Sequence, residues 1–285
     1  MNMSKTMTSV TRWKAVAVGL TFLIAGLVIW DGADRRAADS TQPLIRNATS
    51  KGLNPTPRKL KLGSFNIHGG KGTDGIRNLS RTFDLLKDVD FVGLYEVRAL
   101  TELERPNQAA ALGRLCDCES VFAPTERQWW SDHFGNGLLF RIPVSSIVRI
   151  PLVNTRGKAF RNAILSTVPL EKDDVRILSV HIDRESDRRT QLQTVIDLFL
   201  NLKVPCVLMG DLNTTATDPL LISLREQPGV RSPFHELHET LNEPPPNQMI
   251  DWIFTRGLNT ELVTATQNSA SDHPVLKAVI EPIDN

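Results

Sequence analysis

Apolar and polar positions in this chain alternate in short blocks, and the block lengths predict the elements. The most informative block is Pro205-Cys206-Val207-Leu208-Met209-Gly210-Asp211-Leu212-Asn213. Its apolar run is too short for a helix and rich enough in Val and Leu for a buried strand over 204–209. Gly210 then reads as a tight turn, and Asp211 and Asn213 share a face if the extended geometry continues. Comparable runs predict strands at 60–68, 91–95, 137–142, 145–153, 160–168, 175–182, 249–254 and 274–280. Helical spacing recurs over 74–87, through Ile76, Leu79, Phe83 and Leu86. It recurs over 187–202, with Leu192, Val195, Ile196 and Phe199 on one face. Shorter helices are predicted at 108–115 and 218–226. There is no internal repeat. Strands outnumber helices, and the helices are scattered among them, which suggests packed sheets with helices outside.

The N-terminus breaks this pattern. Residues 1–14 carry Lys5, Arg12 and Lys14 and no acid, and 15–30 run without a charge between Trp13 and Trp30. The run is either a signal peptide or a single transmembrane anchor. A spanning helix wants about 20 residues, with roughly 17 as the lower limit, and a signal-peptide core roughly 7–15. No small-x-small cleavage site follows, because Asp31-Gly32-Ala33 places an acid where a small residue belongs. A retained anchor is favoured, with the basic end cytoplasmic and the remainder exported, periplasmic or extracellular. Cleavage would instead leave a secreted protein. Residues 31–58 are polar, with Pro43, Pro55 and Pro57, and read as a linker. The folded domain is expected over 59–285.

Composition adds exclusions. The chain has 285 residues, 41% hydrophobic and 23% charged, which is ordinary for a globular domain. A net charge of +1 supplies no global basic field for tight non-specific nucleic-acid binding. Three cysteines make no disulfide framework. Cys116 and Cys118 flank Asp117, Cys206 lies in the apolar strand, and all three read as structural thiols.

Polar residues recur where the predicted strands end. Asn66 and His68 close the first, Glu96 the second, and His181 and Asp183 another. Asp211 and Asn213 close the block described above. Asp251 interrupts Met249-Ile250-Asp251-Trp252-Ile253-Phe254, and Ser271-Asp272-His273-Pro274 precedes the last strand. Taken singly, each is more often a cap or turn residue. Six such sites with this mix of acids, amides and histidines look like one divided site.

The order of these segments, above all Gly210-Asp211-Leu212-Asn213 and Ser271-Asp272-His273-Pro274, resembles the endonuclease/exonuclease/phosphatase superfamily over about residues 60–281. The resemblance implies a four-layered α-β-β-α sandwich of two mixed sheets, an α/β fold with its site at one edge. It implies phosphate-ester hydrolysis with Mg²⁺ or Mn²⁺. Matched by motif, Glu96 is the principal metal ligand with Asn66 close by, and Asp272 supports the metal through water. Asp211 aligns and deprotonates the attacking water, and Asn213 holds that water or a phosphate oxygen. Asp251 orients His273, which faces the phosphate. His181, as a cation, binds phosphate or protonates the leaving group, and Arg161 contacts phosphate. The expected partners are a phosphate-ester substrate (nucleic acid, nucleotide or phospholipid headgroup) and a membrane, with no obligate protein partner. The rival reading is a non-catalytic, membrane-tethered binding domain on the same fold. Ser131-Asp132-His133 repeats a site triplet, but its context suits a loop at the rim. His235 and His238 read as surface residues.

Overall fold

The computed structural model describes residues 9–38, 56–99, 107–152, 160–236 and 249–283. Along these residues the strands are β1 (Arg36–Ala37), β2 (Leu60–Asn66), β3 (Phe91–Arg98), β4 (Glu119–Gln128), β5 (Ser131–Phe140), β6 (Ser146–Leu152) and β7 (Arg161–Pro169). They continue as β8 (Asp174–His181), β9 (Cys206–Asp211), β10 (Val230–Arg231), β11 (Asp251–Arg256), β12 (Leu258–Thr266) and β13 (Val275–Pro282). The helices are α1 (Ser9–Ala33), α2 (Leu79–Leu86), α3 (Gln108–Leu115), α4 (Arg188–Asn201) and α5 (Pro219–Arg225).

One sheet runs β1-β4-β5-β3-β2-β13-β12, the other β10-β11-β9-β8-β7-β6. Each holds one parallel pair, β2 with β3 and β8 with β9, among antiparallel neighbours. Runs such as Cys206–Asp211 are buried at every position because both faces are covered. Leu60, Leu62 and Phe91 of the first sheet share a core with Leu208, Met209 and Trp252 of the second, and Leu192, Val195 and Phe199 of α4 join it. Leu86 of α2 and Leu112 of α3 close the other face of the first sheet over Phe65, Val92 and Leu94. Each such side chain contributes roughly 1.5–3 kcal/mol by leaving water. The result is the expected four-layered sandwich. Between the sheets the Tyr95 hydroxyl donates to the Met209 carbonyl (3.2 Å) and lies 3.0 Å from Ser179 Oγ and 3.2 Å from Ser64 Oγ. Burial pushes its pKa well above the ordinary tyrosine value. This polar node ties the sheets together one residue before Glu96.

Several expectations are corrected. The pattern gave no strand for β4, where Pro124, Glu126 and two register shifts break the alternation, or for β12, a largely exposed edge strand. Ser131-Asp132-His133, expected in a loop, opens β5. The helix at 74–87 begins only at Leu79, because Asn78 caps it by accepting from the Ser80 amide (2.9 Å), and Ile76 stays exposed. Gly210 makes no turn. It is a β9 residue whose added Cβ would lie 1.8 Å from the Val180 carbonyl oxygen, so close strand approach demands glycine there. Cys116 and Cys118 are not free thiols but a disulfide, brought to a Cα separation of 5.3 Å by the turn through Asp117 (φ 47°). Cys206 is a buried thiol, as expected. Within 31–58, Arg36–Ala37 pairs with Arg127 and Glu126 at the sheet edge. His238 lies outside the described residues.

Candidate active site

Topology makes the strand-end residues converge. The parallel strands β2, β3, β8 and β9 end at one edge of the sandwich. Their antiparallel neighbours β7, β11 and β13 begin there. Thus His181 and Asp211, the last residues of β8 and β9, pair in register, and Asp211 pairs with Asp251, the first residue of β11. Arg161 opens β7, and Asp272 and His273 precede β13.

The centre of the cluster is buried. Asp211 is 1% exposed, Asp251 2% and His181 3%. His273 Nδ1 lies 2.8 Å from Asp251 Oδ2, and its Nε2 lies 3.8 Å from Asp211 Oδ2. Asn66 Nδ2 donates to Asp211 Oδ2 (2.9 Å) and lies 3.4 Å from Glu96 Oε1. Asn66 Oδ1 accepts from the His68 amide (3.0 Å). Asn213 reaches the site with φ 45°, not as an extension of β9. Its amide N–H donates to Asp211 Oδ1 (2.9 Å), and its Nδ2 donates to the Ile182 carbonyl (3.1 Å) and lies 3.3 Å from His181 Nε2.

Glu96 is also left-handed. Register with β5 shifts between Leu94 and Val97, and Glu96 takes φ 56° in that bulge. Bulges beside functional sites re-aim a side chain, and a left-handed non-glycine residue persists only where its surroundings impose it. Glu96 is accordingly half-exposed while its strand neighbours Tyr95 and Val97 are buried.

Charge placement sets the protonation states. Burial, then the Asp251 charge, pushes Asp211 up to about 7, against the opposing His273 charge and the Asn66 and Asn213 hydrogen bonds. Burial raises Asp251 too, opposed by its bond to His273. For His273, burial works against the cation. The Asp251 hydrogen bond and the charges of Asp251, Asp211 and Asp272 together outweigh it and raise the pKa to about 9. His181 is the opposite case. Burial, then the Arg161 and His273 charges, holds its pKa well below the usual histidine value. At neutral pH it is therefore the neutral imidazole, not the expected cation. Its Nδ1 is buried without a hydrogen-bond partner.

Arg161 lies at the side of this cluster, close enough for Asp183, Glu96 and Asp211 to favour its charge against the cost of burial. Its guanidinium is 3.9 Å from Glu126 and lies over the Phe134 ring, 5.7 Å from the centroid, and Arg98 also lies over that ring at 5.5 Å. Asp272 pairs with His68 Nδ1 (3.1 Å), a partnership that sequence spacing did not reveal. Asp183 accepts from the Asp187 amide (3.0 Å) ahead of α4. His133 sits on β5 beside Glu126 (3.8 Å), not in a loop, and His235 is half-buried. Glu126 and Tyr95 carried no strand-end signal, and sequence reasoning missed both.

Asp211, Asp251 and His273 each offer one ligand atom, all within 4.8 Å of one another. Glu96, to which Asn66 donates through Nδ2, offers a second, carboxylate oxygen site. The cluster as a whole can position water against an anionic centre, accept a proton and surround negative charge with donors.

A family model described as the Endonuclease/Exonuclease/phosphatase family matches residues 63–273. No curated protein sequence matches the chain. Among solved structures the chain is similar to an endonuclease/exonuclease/phosphatase from Beutenbergia cavernae, at 22% identity and TM-score 0.63, covering 79% of this chain and 72% of that one. It is similar to a protein of the same description from Leptotrichia buccalis, at 15% identity and TM-score 0.59, covering 78% and 99%. It is also similar to the human Nocturnin catalytic domain with bound sulfate, at 18% identity and TM-score 0.60, covering 85% and 98%. At these identities the likeness is one of fold.

Proposed function

Because the chain belongs to the endonuclease/exonuclease/phosphatase family, we propose that it is a metal-dependent phosphoesterase that α1 holds on the outer face of a membrane. The observation that carries this reading is the Asp211–Asp251–His273 cluster. One buried carboxylate is poised near neutrality beside an imidazolium held by another. A non-catalytic binding domain has no need of that arrangement.

Asp211, with a pKa near 7, suits a general base that aligns water and takes its proton. Asn213, fixed on Asp211 and Ile182, donates to that water or to a phosphate oxygen. His273, cationic and oriented by Asp251, faces the phosphate and offsets its charge. Arg161 adds a second cation. His181, neutral before substrate arrives, binds a phosphate oxygen. An anionic ester beside it favours its protonation, and it then donates to the departing oxygen.

The residues present fit a divalent metal. Mg²⁺ and Mn²⁺ prefer oxygen donors and keep several waters. Half-buried Glu96 provides that chemistry, with Asp272 in support, and Asn66 joins it through its side-chain oxygen once the amide, whose Nδ2 faces Glu96 and Asp211, is turned over. The protonated His273 ring has no free lone pair for a metal, so the Glu96 set is preferred to the buried triad. When bound there, the ion supplies charge that polarises the phosphate.

The test is hydrolysis by the full chain with Mg²⁺ or with EDTA. The substrates are single-stranded DNA, duplex DNA, RNA, sphingomyelin and phosphoinositides. Turnover of any of them that is lost in EDTA and restored by Mg²⁺ is expected. Undiminished turnover after exhaustive chelation would overturn the metal assignment, and inertness toward every phosphate ester would favour the binding domain.

A further inference from the structure

We propose that the β4–β5 hairpin tip, Trp129-Trp130, docks into the polar–apolar interface of a lipid bilayer as one seat with the end of α1. This rests on α1 being a retained anchor. Among the described residues α1 is the one helix long and apolar enough to span a membrane, over Val16–Ala33. Trp13 and Trp30 are 74% and 75% exposed and seventeen residues apart, about 26 Å along a helix, near the roughly 30 Å of a hydrocarbon core. Indole rings favour the two interfaces of a bilayer.

The hairpin tip lies at the second of these levels. The Trp129 amide donates to the Gly32 carbonyl (2.7 Å), and Gln128 Nε2 donates to the Ala33 carbonyl (2.7 Å). Helix-end carbonyls lack partners within their own helix, so the hairpin completes α1. Trp130 Nε1 donates to Asp31 (3.2 Å), whose carboxylate also pairs with Arg36. Both tryptophans are left-handed, at φ 50° and 60°. Gly32 makes room for them, since a Cβ there would lie 2.6 Å from the Trp129 ring and 2.8 Å from the Trp130 ring. Yet about half of each residue stays exposed, 47% and 52%. The apolar part of each ring thus stands beside the emerging anchor, while the charges of Asp31, Arg35 and Arg36 begin at the same height.

The seat fixes the domain's orientation. Beyond Ala33, Ala38 donates to the Thr125 carbonyl (2.9 Å), and Arg35 reaches Glu126 (3.5 Å). From Trp130, β5 needs four residues, about 13 Å, to reach Phe134, where Arg161 stacks. The Arg161 side of the site therefore lies next to the bilayer surface, not at the end of a free tether.

The experiment uses the full chain in liposomes whose lipids carry bromine near the headgroup or deep in the acyl chain. Emission of the wild type is compared with that of Trp129→Phe/Trp130→Phe, so the difference reports the hairpin alone. Headgroup-proximal bromine should quench that difference strongly and deep bromine weakly. Gly32→Leu, which keeps both indoles but displaces them, should lose that quenching. A hairpin signal untouched by either lipid, in a chain that resists carbonate extraction, overturns the seat and spares the anchor. A chain that carbonate releases, or whose N-terminal sequence begins beyond residue 33, overturns the anchor and the seat with it.

Discussion

The two ends of β13 place the same chemistry in opposite settings. At its C-terminal end Glu281 meets Arg58 (2.8 Å), Lys172 (3.0 Å) and Lys59 (3.6 Å). The Arg58 and Lys172 hydrogen bonds pull its pKa down to about 2. At the N-terminal end His273 stands between Asp251 and Asp211, and burial drives those carboxylates upward. One end gives a carboxylate more cations than it needs. The other gives two buried carboxylates one imidazolium to share. A fold gains from the first arrangement and loses from the second, because carboxylates taken out of water need full compensation. Chemistry gains from the second, which keeps a proton acceptor near neutral pH.

The largest expected effect breaks the site end directly. Glu96→Gln keeps shape and removes charge, so kcat/KM should fall by at least about 10³-fold, more than 4 kcal/mol of transition-state stabilisation, with melting unchanged. Full activity in this variant would remove Glu96 from the metal site.

His181→Ala separates proton donation from phosphate binding. It should lose roughly 10²–10⁴-fold in kcat/KM on an alkyl phosphodiester, the usual worth of a general acid. It should lose much less on a nitrophenyl ester, whose leaving group needs little help. Equal losses on the two would make His181 an electrostatic clamp only.

Asp211 and His273 should bound the pH profile. On a nitrophenyl ester, which needs little from His181, we expect kcat/KM to rise through about pH 7 as Asp211 ionises and to fall through about pH 9 as His273 loses its proton. Asp251→Asn keeps an acceptor for His273 but removes the charge that raises it, so the alkaline limb should move toward neutrality. An unmoved limb would assign it to another group.

The smallest effects sharpen the contrast as stability. The folded pKa of Asp211 is raised, so its ionisation costs stability increasingly as pH climbs from about 4 through 7. Asp211→Asn should therefore melt more favourably against wild type at pH 8 than at pH 4, and the lost acceptor, common to both pH values, cancels from that difference. The folded pKa of Glu281 is lowered, so its contribution is present above about pH 4.5 and lost as pH falls through 2. Glu281→Gln should lower the melting temperature at pH 7 and lose that effect in acid. Parallel pH trends in the two variants would mean that the ends of β13 do not differ as described.

Much of this was legible beforehand because it depends on local order. Short Val- and Leu-rich runs can bury both faces only as strands, which located β2, β3, β8, β9 and β11 within a few residues. The acids, amides and histidines at their ends named nearly every group that the structure gathers. What failed was also local. β12 has no buried face to alternate, β4 is bulged around Glu126, and the turn at Asp117 that joins Cys116 to Cys118 leaves no periodic trace. Gly210 was singled out for the wrong reason, because the Val180 carbonyl that excludes a side chain lies on another strand.

Sequence by itself determined which residues end strands, which faces are apolar, and that a charge-free N-terminal segment precedes a domain of packed sheets with helices outside. These properties follow from neighbours along the chain. Only the tertiary structure decided that strand starts and strand ends would share an edge, since parallel and antiparallel pairing is a relation between distant segments. It alone set Asp211 near neutrality, made His273 a cation and left His181 neutral. A pKa is fixed by burial and by the charges within a few ångströms, and those charges come from β2, β7, β9, β11 and the loop before β13 together.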